Sequence, residues 1–100
     1  MAEEGRKNPR IALNDFVVDI EIQGARVQAI ILDISEGGGQ ILLPQGTGSA
    51  ENDQVTVAFG NSIPDMKGLV RRSGNSPANP NQIAIGVQFE AAFDLALLKS

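Results

Sequence analysis

Along much of this chain, apolar and polar residues alternate with the two-residue period of a β-strand. The clearest case is residues 16–23, where Phe16, Val18, Ile20 and Ile22 share one face and Val17, Asp19, Glu21 and Gln23 the other. Such a stretch predicts a half-buried antiparallel strand. Gly24 and Ala25 follow it and predict a tight hairpin turn. Residues 26–34 form a second, more apolar and more central strand, which holds a run of four apolar residues at 29–32. Residues 40–43 make a short third strand, ended by Pro44, and residues 54–59 a fourth, with Val55, Val57 and Phe59 on one face. Residues 66–72 are the fifth. The sixth, 82–90, turns Ile83, Ile85, Val87 and Phe89 inward and Gly86 outward.

Between these stretches lie segments with loop composition: 45–53, 60–65 and the Pro-containing 73–81. Asn14 and Asp15 are turn residues by type. Before them, Gly5 and Pro9 oppose a helix, so residues 1–14 are expected to be a flexible, non-helical arm. At the other end, Phe93, Leu97 and Leu98 recur at helical spacing and predict a short helix over 91–99. The expected fold is therefore mainly all-β: a six-stranded antiparallel β-barrel over 15–90 with a short C-terminal helix, in a single domain spanning 1–100.

Composition narrows what such a barrel does. Only four aromatic residues are present, all Phe, so the core must be aliphatic. The chain has no Cys and no His. Disulfides, thiolate metal sites and a Cys nucleophile are excluded, and the commonest general base and metal ligand are missing. These absences point away from an enzyme, a bound metal or a cofactor. There is no span long enough for a membrane and no signal-peptide pattern, so a cytoplasmic protein without membrane insertion is expected. The net charge of −4 disfavours nucleic acid as a partner. Yet Arg6, Lys7 and Arg10 cluster near the N-terminus, out of only eight basic residues. A cationic arm on an acidic protein suits a small anionic ligand better than a long polyanion.

Two short patterns carry candidate chemistry. The first is Arg6-x-x-x-Arg10. A guanidinium is planar, permanently charged and holds its donors in a fork, which suits phosphate oxygens and the O6/N7 edge of guanine. Taken alone, the pair also reads as a basic N-terminus that aids solubility. The second is Asp33-x-Ser35-x-x-Gly38, at the end of the second strand. Residues two apart on a strand share a face, so Asp33 and Ser35 project together while Ile34 points the other way. The carboxylate can accept from the N1–H and N2–H₂ of guanine. Taken alone, Asp33 and Ser35 also read as caps of a glycine turn.

Together, in this order around a six-strand pattern, R-x-x-x-R and D-x-S-x-x-G resemble the PilZ domain family. The closing Ile85-Gly86-Val87-Gln88-Phe89 is similar to the last barrel strand of that family, commonly I-G-V-x-F. The resemblance runs from Arg6 through nearly the whole chain. It implies a bacterial β-barrel receptor of PilZ type for the second messenger cyclic di-GMP. Arg6 and Arg10 would contact its phosphates and guanine edges, Asp33 and Ser35 would hold a guanine, and Gly38 would leave room for the ligand and the turn. Lys7, Asn8, Gly37 and Arg72 are secondary candidates. The resemblance further implies an arm that orders on binding. With no output domain in the chain, the signal is expected to pass to a separate effector of the motility, secretion or polysaccharide machinery. The alternative is a PilZ-like protein-interaction adaptor that binds no nucleotide.

Overall fold

The computed structural model describes residues 10–44, 47, 51–60, 63–76 and 81–99, with the side chains of Asn14, Asp15 and Lys99 excepted. Six strands form a closed antiparallel barrel: β1 (Ile11–Ile22), β2 (Ala25–Ser35), β3 (Gly38–Pro44), β4 (Gln54–Ala58), β5 (Met66–Asn75) and β6 (Gln82–Phe89). Around the barrel their order is β1-β2-β3-β6-β5-β4, and β4 pairs back onto β1. The inward residues are those the alternation selects: Val18, Ile20 and Ile22 of β1, Ile41 and Leu43 of β3, Val55 and Val57 of β4, Ile85 and Val87 of β6 are all buried. Burying each such side chain contributes about 1.5–3 kcal/mol, and the β-branching of all but Leu43 suits the pleat.

Several boundaries differ from the expectation, each for a local reason. β1 begins at Ile11 rather than at Phe16, because Ile11 and Ala12 pair with Ile34 and Asp33 of β2. The turn signal at Asn14-Asp15 is absorbed as a bulge: β1 advances from Ala12 to Phe16 while β2 moves only from Asp33 to Ile31. The first hairpin turns at Gln23-Gly24, with φ of 51° and 76°, so Ala25 already opens β2. Two positive φ values are what a two-residue turn matching the strand twist requires.

β3 starts at Gly38, not Gln40, and only Gly37 of the three glycines lies in the turn. A Cβ on Gly38 would overlap the Val87 carbonyl oxygen, and one on Gly39 would sit 2.6 Å from the Asp33 carbonyl oxygen. The strands approach too closely there for any side chain. β5 continues to Asn75 because Ser73, Gly74 and Asn75 pair with Ile85, Ala84 and Ile83.

The expected helix over 91–99 is instead a 3₁₀ turn at Leu95–Lys99. Phe93, which the helical spacing had counted, closes one end of the barrel: it is 2% exposed and stacks on Phe59 at 4.9 Å. Phe16 and Phe89 complete an aromatic cluster around these two rings. The extended backbone that delivers Phe93 donates to the Glu36 carbonyl, and Asp94 then caps the short turn by accepting from the Ala96 N–H.

Candidate functional site

The site is built by two interruptions of the alternation. In β2, Ala29 and Ile31 face the core. Strict period two would then send Asp33 inward, an expensive place for a carboxylate. One extra residue intervenes: Ile31 pairs with Ile41, but Asp33 already pairs with Gln40. The bulge at Leu32 reverses the phase, so Ile34 is fully buried while Asp33 and Ser35 turn to the outer face. The sequence-based expectation that Asp33 and Ser35 share a face opposite Ile34 therefore agrees with the structure.

In β5 the same device recurs. Val70 faces the core opposite Val87, yet Arg72 pairs with Gly86 on the outer face, the extra residue being Arg71. Both arginines are exposed. The register then lines up one row of outer-face residues across four strands: Asp33 on β2, Gln40 on β3, Gly86 on β6 and Arg72 on β5. A neighbouring row carries Ser35, Gly38 and Gln88.

These rows floor an open cavity of about 610 Å³ whose walls are Arg10, Asp33, Ser35, Gly37, Gly38, Gly39, Gln40, Arg71, Arg72, Gly86, Val87 and Gln88. Arg10 reaches it from the start of β1 and donates from Nη1 to Asp33 Oδ1 at 2.6 Å. Ser35 is 7% exposed and donates to the Gly38 carbonyl at 3.3 Å, closing its own glycine turn. That turn is held from outside too: Phe89 and Phe93 donate backbone N–H groups to the carbonyls of Gly37 and Glu36. Arg71 donates to Asn52 Oδ1 at 3.2 Å. The walls thus carry three guanidinium groups and one carboxylate, a positive concavity on a chain of net charge −4. An acceptor-rich anionic ligand matches it.

Of the sequence-predicted residues, Arg10, Asp33, Ser35, Gly37, Gly38 and Arg72 all line this one cavity. Arg6, Lys7 and Asn8 lie outside the described residues. Glycine at 38 is already required by the approach of Val87, independently of any ligand. Arg71, beside Arg72 on the same expected strand, lines it as well, whereas Gly39, Gln40, Gly86, Val87 and Gln88 were missed as lining residues. The one sequence signal for this flank was the adjacent pair Arg71-Arg72 on a strand, where two neighbouring charges cannot both face outward without a bulge. Among the described residues, no group of acidic side chains is arranged to hold a metal ion, and no helix is long and apolar enough to cross a membrane.

A sequence model of the PilZ domain matches residues 4–97. This chain belongs to the PilZ domain family. Two solved structures share its fold. The Bacillus subtilis inhibitor of motility, MotI/DgrA, superposes with a TM-score of 0.63 at 17% identity, over 96% of this chain and 47% of its own. The Borreliella burgdorferi PlzA protein, solved in complex with c-di-GMP, gives a TM-score of 0.67 at 16% identity, over 97% of this chain and 39% of its own. The chain thus spans less than half the length of either protein. No curated protein matches it in sequence.

Proposed function

We propose that this chain is a receptor for cyclic di-GMP that performs no catalytic step. The observation that carries the reading is the meeting of two distant motifs: Arg10, from the arm, and Asp33, Ser35 and Gly38, from the β2–β3 hairpin, share one outer-face cavity. The chemistry of each group suits the ligand. Asp33 accepts from the N1–H and N2–H₂ of one guanine, and its two oxygens have lone pairs enough to keep a bond to Arg10 as well. Arg10 stands beside it, where its fork serves a phosphate or a guanine O6/N7 edge. Ser35 contributes a hydroxyl beneath the base. Arg6, one motif step before Arg10, adds a second guanidinium from the arm, with Lys7 and Asn8 as neighbours.

The ligand draws the arm onto the barrel and changes the surface that a separate effector protein reads. That effector would belong to motility, secretion or polysaccharide machinery, in the cytoplasm. The alternative, an adaptor that binds protein and no nucleotide, has one observation in its favour: Asp33 and Ser35 already have partners in Arg10 and the Gly38 carbonyl.

Calorimetric titration with cyclic di-GMP, with GTP as control, separates the two. Saturable heat with the cyclic dinucleotide alone is the expected result. A folded chain that gives no heat at several temperatures would favour the adaptor.

A further inference from the structure

We infer that Arg72 is a further ligand-binding residue, holding the half of a two-base ligand that lies farthest from Asp33. The inference rests on the cyclic dinucleotide reading and extends its site from β2 to β5. Arg72 stands on the same register row as Asp33, with Gln40 and Gly86 between them. Three interstrand spacings separate the two ends of that row, about 14 Å. A single guanine base held at Asp33 would not span it. A ring of two guanosines and two phosphates carries acceptors at both ends, and a guanidinium at the far end meets either a phosphate or a purine O6/N7 edge.

The geometry sets Arg72 apart from an ordinary solvated strand charge. Its outward direction depends on the bulge at Arg71, and bulges that re-aim a side chain cluster beside functional sites. Its neighbour Arg71 is tethered to Asn52, whereas no described residue pairs with the Arg72 guanidinium. The space between Arg72 and Gln40 is open because Gly86 has no side chain. That glycine is not demanded by packing: an added Cβ would meet only the Arg72 Cβ, at 3.6 Å.

The test is calorimetric titration of the full chain and three variants, Arg72→Ala, Gly86→Val and Arg26→Ala, with cyclic di-GMP. Arg26 is an exposed arginine that pairs with Asp19 and does not line this cavity, so it controls for loss of charge alone. Arg72→Ala should bind at least about tenfold more weakly, as expected for one charge-assisted contact. Gly86→Val should also bind more weakly, while Arg26→Ala is unchanged and all three melt with the parent. Undiminished binding by Arg72→Ala or Gly86→Val overturns the assignment, as does an equal loss in Arg26→Ala. A parent chain that takes no ligand overturns the receptor reading and this assignment together, so the two failures are distinguishable.

Discussion

The bulge at Leu32 in β2 and the bulge at Arg71 in β5 do the same thing on opposite flanks of one cavity. Each inserts a residue after a core position, Ile31 or Val70, and each turns a charged residue outward that alternation would have buried. They differ in what surrounds the re-aimed charge. Asp33 is met by Arg10 at 2.6 Å, lies beside a glycine hairpin held by β6 and Phe93, and keeps only 23% of its side-chain surface exposed. Arg72 is exposed and has no partner among the described residues. A short carboxylate has no stem on which to escape, so its direction must be fixed by backbone and neighbours. A long guanidinium can reach for solvent or ligand on its own. The β2 flank is consequently rigid and legible as a motif, and the β5 flank adaptable and hidden from one.

Truncating one side chain on each flank breaks the comparison most forcibly. Ile34→Ala removes the fully buried side chain that follows the Leu32 bulge and fixes the phase of β2, and should cost about 2–5 kcal/mol. Arg72→Ala removes an exposed side chain after the Arg71 bulge, and should stay within about 0.5 kcal/mol. Urea unfolding of both variants measures the difference. Equal losses would mean that the two flanks are held alike.

A milder change sharpens the contrast at the level of ligand. Asp33→Ala removes the acceptor for a guanine edge, and should weaken cyclic di-GMP binding by about 1.5–3 kcal/mol. Its effect on folding should be far smaller, within about 1 kcal/mol, because the ion pair lost with it is half exposed on the Arg10 side. Titration beside thermal melting resolves the two. A variant that binds as the parent does would remove Asp33 from the site.

What could be read from the sequence follows the same division. The inward face of β1 was plain in the alternation of Val18, Ile20 and Ile22, since local period and tertiary burial agree there. Arg10, Asp33 and Ser35 could be singled out as candidates because they fall in two motifs, and the structure brings them to one cavity. The bulges were not, since a bulge is defined by its partner strand: nothing in the run Ile31-Leu32-Asp33 marks Leu32 as the residue left over. The start of β1 was hidden for the same reason, as Ile11 and Ala12 become strand only through Ile34 and Asp33. The C-terminal helix failed because Phe93 was counted with Leu97 and Leu98. Its real partners, Phe59 and Phe89, come from distant parts of the chain.

The smallest effect concerns the tethers themselves. Each flank has one side-chain contact beside its bulge, Arg10 to Asp33 at 2.6 Å and Arg71 to Asn52 at 3.2 Å. The first joins two opposite charges, one of them mostly shielded; the second joins a charge to a neutral amide, with both residues exposed. Double-mutant cycles to alanine on each pair, read by thermal unfolding, cancel the separate cost of replacing Asn52 at its φ of 75°. Coupling for Arg10–Asp33 should be about 0.5–1 kcal/mol and for Arg71–Asn52 about 0.2 kcal/mol. Raising the ionic strength should shrink the first, because the Debye length falls to roughly 3 Å at 1 M salt, and leave the second almost unchanged. If the weaker tether proved equal to the stronger, Arg71 would be as firmly held as Asp33. The β5 flank would then be a preformed wall of the cavity instead of an adaptable one.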